Sequence, residues 1–430
     1  MKRLLAIPLV VLAFLAIALG WRIGLRLYPR AQKPLPQQAY LWQRAWNDNV
    51  RQAVQAATPK LSGMVVLAAE VSWQNHQSTI VRIPIDYEAL RSAGIPVGLA
   101  LRIGAYAGPF DKEGEPLAML TDLAASLIAE AREAQLDVQE LQLDFDCAES
   151  KLSGYRWWME AIRSKVAPVP VTITVLPSWL HQREFQDLIE AAGGYVLQVH
   201  WFSPPKNSDT SLTLCDPSVT WKWVKEAARF GKPFRLALPT YSYLVAFDRQ
   251  GKYIGFSAEG PALAWPHGAE VRRVESDPGQ MAALVRKLAA DRPEELTGII
   301  WYRLPTPSDR LNWPWPTLAA VMDGRPPREL LRAETRSIEP GLVDIDLVNK
   351  GETEALTPVE VLVSWQNARL LAGDALSGFR LIERGPSRVA LRGIPGSTVA
   401  RIGPDQRQPI GWLRFDRETE VELHVSPLSP

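Results

Sequence analysis

Two aspartates stand at alternate positions at the end of an apolar run, in the sequence Leu143-Asp144-Phe145-Asp146. Alternate side chains of a β-strand share a face, so the two carboxylates are expected on the same side. Two carboxylates held close together disfavour each other's ionised form, and one of them becomes a proton donor near neutral pH. The pair therefore predicts acid–base chemistry. The structural alternative is that one aspartate caps the next loop while the other pairs with Arg102 or Arg303.

The elements that must position this pair alternate regularly along the chain. From residue 39 onward, short β-rich runs alternate with helical patterns, the clearest of which covers residues 116–135. This alternation is typical of repeated βαβ units and a parallel sheet, and eight such strands predict an α/β fold of the (β/α)8 TIM-barrel type. Barrels of this type carry their working residues at the carboxyl ends of the strands. The predicted strands are 39–45, 64–70, 97–104, 140–146, 170–176, 195–202, 234–241 and 297–304.

Other segments lie outside this alternation. Insertions at 71–86 and 244–275 contain short β runs, and the second turns at Asp248-Arg249-Gln250-Gly251. From about residue 328 the helical periodicity stops, and short strands separated by turns predict a β-sandwich-like module. The predicted organisation is a linker at 31–38, a barrel over 39–327 and the β-module over 328–430.

The first thirty residues have the pattern of an export segment. Lys2 and Arg3 precede an uncharged apolar run from Leu4 to Gly20. Small residues near the end of the run suit a cleavage site, whereas Ile23 and the residues beyond it bring the run near spanning length, so a cleaved signal peptide and a membrane anchor both fit. In either case the positive charges before the run predict that the remaining chain lies outside the inner membrane, in the periplasm, attached to the membrane facing outward, or secreted.

Composition excludes several classes of function. Lys and Arg number 48 against 47 Asp and Glu, and no basic block is present, so nucleic acid is not a predicted partner. The five histidines have no metal-ligand spacing, and neither a glycine-rich phosphate loop nor a Gly-x-Ser-x-Gly elbow occurs, so no metal or cofactor is predicted. Cys147 and Cys215 both fall near the predicted mouth of the barrel, where two free thiols are favoured over a disulfide because a strand intervenes between them.

The order of motifs over residues 95–305 resembles the glycoside hydrolase family 18 barrel, which includes chitinases and their non-catalytic relatives. The fourth strand of that family carries Asp-x-x-Asp-x-Asp-x-Glu, and residues 141–148 keep the central pair. Ala148 stands at the position of the proton-donating glutamate, and Glu149 lies one residue later. Leu238-Pro239-Thr240-Tyr241 is similar to the end of the family's seventh strand, and Trp301 stands where its eighth strand places a tryptophan under the sugar.

A second resemblance covers nearly the whole barrel. With Tyr-Leu-Trp-Gln-Arg at 40–44 and Leu-Asp-Phe-Asp-Cys at 143–147, the chain is similar to the bacterial domain-of-unknown-function family numbered 3142. That family implies the barrel fold without an activity.

Together the residues and resemblances imply a carbohydrate ligand and three alternative functions. The first is a polysaccharide-cleaving glycoside hydrolase centred on Asp144 and Asp146. Glu70 is then a candidate general acid, unless it pairs with Arg44 or Arg102, and Glu149 is a candidate only if a bulge or loop turns it inward. The second is a sugar-binding barrel that has lost catalysis, because of Ala148, and the third is an envelope scaffold. Predicted ligand contacts are Trp301, Tyr241, His200, Gln198, Arg102 and Arg303.

Overall fold

The structure is a computed structural model that describes residues 34–75, 77–201, 203–258, 263–356, 359–394 and 401–428. The predicted export segment at 1–30 lies outside these residues. Within them, no helix is long and apolar enough to cross a membrane.

Eight parallel strands close into a barrel, as predicted. Going round the ring, β1 pairs with β2, followed by β4, β5, β6, β7, β8 and β12, and β12 pairs again with β1. The strands of this part of the chain are β1 (Gln37–Leu41), β2 (Met64–Gln74), β3 (Gln77–Arg82), β4 (Val97–Ile103), β5 (Val138–Phe145), β6 (Val171–Val175), β7 (Tyr195–Gln198), β8 (Phe234–Pro239), β9 (Ser242–Phe247), β10 (Tyr253–Ser257), β11 (Glu270–Glu275) and β12 (Leu296–Tyr302).

Helices follow most of the barrel strands, and several begin at side chains that bond to the first free backbone N–H groups. Asn47 accepts from the amide of Val50, and Asp86 accepts from the amide of Ala89, which is the usual way a helix start is stabilised. The helices are α1 (Asp48–Ala57), α2 (Tyr87–Ala93), α3 (Glu115–Glu133), α4 (Leu152–Val166), α5 (Arg183–Ala191), α6 (Pro217–Ala228), α7 (Pro278–Asp291) and α8 (Trp315–Met322). The predicted helix at 116–135 is confirmed as α3.

Barrel closure begins earlier than the sequence indicates. The predicted linker at 31–38 ends inside the fold, because β1 starts at Gln37. The carbonyl of Pro36 accepts from the amide of Ile299, and that of Pro34 accepts from Arg292. Because Gln37 and Gln38 are polar, the start of this strand has the sequence pattern of a linker. Their side chains nevertheless bond to other protein groups: Gln37 accepts from the Trp301 indole and Gln38 from Arg235.

Alternate residues of the strands fill the inside of the barrel, even-numbered on β1, β4, β7 and β12 and odd-numbered on β8. Tyr40, Ala100, Val196, Ala237 and Ile300 belong to one buried cluster. Strand β2 contributes odd-numbered Val65 and Leu67 to the same cluster. At this level the inward-facing residues of β2 are therefore odd-numbered, whereas those of the neighbouring strands β1 and β4 are even-numbered.

Both predicted insertions form β structure. Strand β3 folds back antiparallel on the end of β2, and β9 lies between β10 and β11 in a separate three-stranded antiparallel sheet. The turn at 248–251 joins β9 to β10, as predicted.

Contacts divide the chain into two compact units, one comprising the chain up to residue 239 with 287–304 and the other comprising 240–286 with residues from 305 onward. The sequence predicts a boundary at 327/328, where helical periodicity ends, whereas contacts group residues 240–286 and 305–327 with the C-terminal strands. The helices and insertion strands within these two segments are therefore part of the second unit.

The C-terminal strands form two four-stranded antiparallel sheets around one core, which confirms the β-sandwich-like module. The sheet orders are β13-β14-β21-β17 and β18-β19-β16-β22, and Ile345, Val361 and Leu413 pack in the shared core. The strands are β13 (Leu331–Glu339), β14 (Leu342–Asn349), β15 (Ala355–Leu356), β16 (Val359–Trp365), β17 (Leu370–Ala375), β18 (Phe379–Gly385), β19 (Arg388–Gly393), β20 (Arg401–Ile402), β21 (Arg407–Phe415) and β22 (Val421–Pro427).

Candidate functional site

A row of polar side chains crosses four neighbouring strands at the mouth of the barrel. Strand pairing sets Glu70 beside Arg102 and Arg102 beside Asp144. The Thr174 hydroxyl on β6 then donates to Asp144 Oδ1 at 2.7 Å. These four side chains, together with Asp146 at the end of β5, are called the carboxylate row below.

Glu70 enters this row because of a one-residue bulge. Between Leu67 and Ala69 the register of β2 shifts against β4, so Leu67 pairs with Ala100 while Glu70 pairs with Arg102. An extra residue in one strand reverses the face of every later side chain. The bulge at Ala68 therefore turns Glu70 into the barrel mouth.

Guanidinium groups hold the carboxylates of the row. Arg44 donates to both oxygens of Glu70, at 2.6 and 3.0 Å, and Arg102 Nη1 lies 3.7 Å from Glu70 Oε1. Arg102 Nη2 lies 3.6 Å from Asp146 Oδ2. Glu70 thus pairs with both Arg44 and Arg102, which was the predicted alternative to its role as a general acid. Because both of its oxygens already accept, Glu70 is a poor candidate for a proton donor.

The two aspartates lie in different environments. Asp144 is largely buried, and its pKa is raised above the ordinary range, mainly by burial; the Thr174 hydrogen bond opposes this effect and the charge of Asp146 adds to it. Asp146 lies just past the end of β5, where its amide donates to the Ile103 carbonyl at 2.9 Å, and its side chain is 58% exposed. Asp144 is thus protonated more readily than an ordinary aspartate, whereas Asp146 faces solvent.

Glu149 is placed away from the row. Beyond Ala148 the chain turns into a short 3-10 helix, Glu149–Lys151, rather than forming the bulge that would point Glu149 inward. Its carboxylate accepts from Gln182 at 2.9 Å on the exposed surface. The arrangement expected if Glu149 replaced the glutamate missing at position 148 is therefore not observed.

Trp301 was predicted to support a sugar ring, and this prediction is wrong. Its side chain is completely buried, with an exposed fraction of 0%, and its indole N–H donates to Gln37 at 2.9 Å. Ile300 pairs with Gln38 and faces the barrel interior, so Trp301, one residue later, points outward between strands and helices. The aromatic residue at the mouth is Tyr302, which strand alternation after Ile300 would have indicated.

Aromatic rings fill the other half of the mouth. Tyr302 packs against Tyr40 and Trp42 with ring centroids 5.7 and 5.5 Å apart, and the imidazole of His200 stacks on Tyr302 at 5.5 Å. Burial lowers the pKa of His200 to about 3, so the imidazole is neutral at physiological pH. His200 is thus a core histidine, and Gln198 on the same face donates to its carbonyl at 3.3 Å.

Tyr241 and Arg303 are the remaining predicted contacts. Tyr241 belongs to the second compact unit, is 7% exposed, and has its hydroxyl 3.0 Å from that of Tyr243, so little of its ring is left for stacking. Arg303 is half-buried directly after β12. Arg102, one of the two predicted arginine partners, lies 3.6 Å from Asp146.

Lys151 organises the loop after β4 and was missed by sequence reasoning. Its ammonium donates to the carbonyls of Tyr106, Ala107 and Gly108 at 3.3, 2.8 and 3.0 Å. Three carbonyls around one charged donor bind strongly, because charge-assisted hydrogen bonds exceed neutral ones. The loop thus receives its shape from the turn that follows the aspartate pair.

Replacing Lys151 by Met should loosen this loop. Removal of a charged donor is expected to destabilise the protein by about 1–3 kcal/mol and to speed amide exchange in residues 105–110. Hydrogen exchange measured by mass spectrometry checks this result. Lys112→Met, at an exposed lysine over the Trp157 ring, is the control and should leave the loop unchanged. Equal amide exchange of residues 105–110 in the two variants would contradict this role of Lys151.

Cys147 and Cys215 are both free and buried, so of the two open alternatives the structure has free thiols. Burial raises the pKa of Cys147 to about 12 and that of Cys215 to about 11. Neither thiol is an activated nucleophile, because only the thiolate is reactive.

Metal sites and cavities in the described part of the chain lie apart from the carboxylate row or are absent. No group of three or more His, Cys, Asp or Glu side chains there could hold a metal ion. A cavity of about 320 Å³ lies between α1 and α2, lined by residues such as Val54, Pro59 and Ala89. It contains no residue of the carboxylate row.

Residues 114–307 match the model of a family described as Domain of unknown function (DUF3142). The predicted resemblance to that family is confirmed over this range, which runs from the start of α3 to just past β12. Strands β1, β2 and β4 lie outside it, so the match is narrower than the sequence motifs suggest. Curated protein sequences give no significant match.

Solved structures with a similar barrel include chitinases. A chitinase from Chromobacterium violaceum is 12% identical, covers 67% of this chain and 98% of its own, with a TM-score of 0.46. The spore cortex-lytic enzyme SleL of Bacillus megaterium is 11% identical over 69% and 76% of the two chains, with a TM-score of 0.48. A chitinase from Bacillus thuringiensis is 10% identical over 92% and 100%, with a TM-score of 0.44.

Proposed function

We propose that the barrel mouth binds a carbohydrate at the carboxylate row and that it does so without the cleavage mechanism of family 18. The observation that carries the proposal is that negative Glu70, positive Arg102 and negative Asp144 lie side by side on three adjacent strands. Asp146 flanks this row and the Tyr302 ring borders it. Donors and acceptors alternate along this row, which suits a neutral ligand whose hydroxyl groups both donate and accept. A phosphate would require an excess of positive charge, and the row instead has an excess of carboxylates.

The loss of the usual acid supports binding rather than family-18 catalysis. Ala148 has no ionisable group, Glu149 bonds to Gln182, and Glu70 accepts from Arg44 through both oxygens. None of these residues is arranged to donate a proton to a glycosidic oxygen.

Hydrolysis is the second candidate, and one observation favours it. The pKa of Asp144 is raised by burial while exposed Asp146 lies across Arg102 from Glu70. A protonated carboxyl next to an ionised one is the arrangement with which two-carboxylate glycosidases protonate the leaving oxygen and stabilise the positive charge that develops on the sugar. In this reading Asp144 is the acid and Asp146 the stabilising carboxylate.

We further propose that the barrel works outside the inner membrane. Its support is the charged start and apolar run of residues 1–20. Polysaccharides of the cell envelope are then the carbohydrates within reach.

Calorimetric titration with oligosaccharides tests the binding proposal. Asp146→Asn removes one charged acceptor at an exposed position, so the fold should persist while affinity falls about tenfold or more, since a hydrogen bond to a charged group contributes about 1.5–3 kcal/mol. Asp122→Asn, at an exposed aspartate of α3 paired with Lys165, is the control and should bind like the wild type. Unchanged affinity in Asp146→Asn would remove the row from the binding site, and absence of any carbohydrate binding would favour a scaffold.

Release of reducing ends by the same proteins separates the two candidates. If the protein only binds, wild type releases none. If Asp144 is the acid, Asp144→Asn abolishes release and keeps binding, and the wild-type rate falls as pH rises through the Asp144 pKa, because the protonated form is the active one.

A further inference from the structure

A pair of tryptophans lies at the rim of the barrel, close to the end of β7. Trp201 comes three residues after the last residue of β7, and Trp223 is in the second turn of α6. Their ring centroids are 5.2 Å apart with the planes at 50°. Trp201 is 46% exposed, and in the described part of the chain no other tryptophan is classed as exposed.

The indole of Trp201 is held in place on two sides. Its N–H donates to Ser203 Oγ at 2.9 Å, and Trp223 supports the ring at an angle. Because the N–H group already has a partner, the surface offered to a ligand is the face of the ring. Fixing this ring before binding lowers the ordering cost that binding must overcome.

We propose that Trp201, supported by Trp223, is a sugar-binding subsite on which one pyranose ring of a longer oligosaccharide stacks, while another part of the same chain occupies the carboxylate row. This inference rests on the proposed function and extends it, because it makes the ligand an oligosaccharide rather than a single sugar. A pyranose with equatorial hydroxyls presents a patch of C–H groups on each face, which matches an exposed aromatic ring. Two indoles are too small an area for a stable protein–protein contact, which needs about 800 Å² on each partner.

The position at the barrel rim provides the continuity that an oligosaccharide needs. Gln198 ends β7, His200 reaches the aromatic half of the mouth through Tyr302, and Trp201 follows directly. Carboxyl ends of parallel strands lie on one face of a barrel, so the tryptophan pair and the carboxylate row share that face.

Titration of the full chain with β-1,4-linked oligomers of glucose and of N-acetylglucosamine, from two to six units, tests the subsite. In the wild type, affinity should rise with length. In Trp201→Ala the rise should disappear, leaving the longest oligomers bound about fivefold more weakly, because an aromatic contact contributes on the order of 1 kcal/mol. Trp223→Ala should have a smaller effect in the same direction. Trp221→Ala is the matched control, since this tryptophan lies on the same helix under the Lys287 ammonium, 4.4 Å away, and should leave length dependence intact.

The outcomes separate the subsite from the function on which it rests. Length-dependent binding that Trp201→Ala abolishes supports the subsite. Oligomers that bind, are weakened by Asp146→Asn, and are unaffected by Trp201→Ala overturn the subsite and leave the proposed function standing. If wild type binds no oligomer of any length, the proposed function and the subsite both fail.

Discussion

Glu140→Gln is expected to destabilise the barrel by about 3–5 kcal/mol, the cost of leaving a buried charge without its partner. Glu140 and Arg235 form an ion pair inside the amino-terminal end of the barrel, with two N–O distances of 2.6 Å and side chains only 13% and 14% exposed. Arg235 also donates to Gln38, and Thr172 donates to Glu140, each at 2.6 Å. Removing the negative charge leaves the guanidinium in a region of low dielectric.

Space for this pair is provided by a glycine. A side chain at Gly98 would place its Cβ 2.6 Å from Glu140 Cγ, so the stem of the glutamate lies directly over the bare backbone of β4. The bare backbone at Gly98 therefore makes room for the pair inside the barrel.

Urea unfolding of the single and double variants measures this effect. Glu140→Gln combined with Arg235→Met should recover much of the loss, because the unpaired charge is then absent, and the two single effects should not add. Arg336→Met, which breaks an exposed pair with Asp344 in the β-module, is the control and should cost at most about 1 kcal/mol. A Glu140→Gln loss no larger than that control would show that water reaches the barrel interior.

The strand count and barrel class could be predicted because a strand buried on both faces is a run of apolar residues. Such runs are visible in sequence, as in the 64–70 and 297–304 segments. The start of β1 was missed because Gln37 and Gln38 are polar, yet both side chains bond to buried partners. Polar residues with buried partners cannot be distinguished from exposed ones by pattern alone.

Side-chain direction was the least predictable property of the site. Alternation places Asp144 inside the barrel, but the same rule applied to β12 puts Tyr302 inside and Trp301 outside, and the tryptophan was chosen by resemblance instead. Glu70 was predicted to end the second strand, whereas β2 continues to Gln74, and Glu70 reaches the mouth because of the bulge near Ala68. A bulge has no sequence signal here, since its residues are ordinary strand formers.

Contacts between residues far apart in the sequence could not be predicted either. Lys151 binds carbonyls some forty residues earlier in the chain, and Arg235 pairs with a glutamate almost one hundred residues away. These contacts form because the strands close into a barrel, and the sequence alone does not show which charged residues the closed barrel brings together. The sequence therefore predicts where chemistry can occur better than it predicts which charges are neutralised there.

His200 should make the barrel sensitive to mild acid. Burial lowers the pKa of its imidazole to about 3 in the folded state, against about 6.5 in an unfolded chain. Below pH 6.5 the unfolded state therefore binds one proton more than the folded state, and stability falls as pH falls. The slope is about 1.4 kcal/mol per pH unit for one proton, which gives a loss of about 2 kcal/mol between pH 6.5 and 5.

The measurement is the free energy of unfolding between pH 7 and 5, a range in which ordinary carboxylates hardly titrate. His200→Gln should remove the fall in stability on acidification, because no proton is then taken up on unfolding at that position. His424→Gln, at an exposed histidine of β22, is the control and should retain it. Asp144 acts with the opposite sign: since burial raises its folded pKa, its ionised form costs stability at neutral pH and its protonation on acidification stabilises the fold. A slope that survives in His200→Gln would place the titrating group elsewhere, whereas its loss would show that the aromatic half of the mouth stays dry around the His200 imidazole.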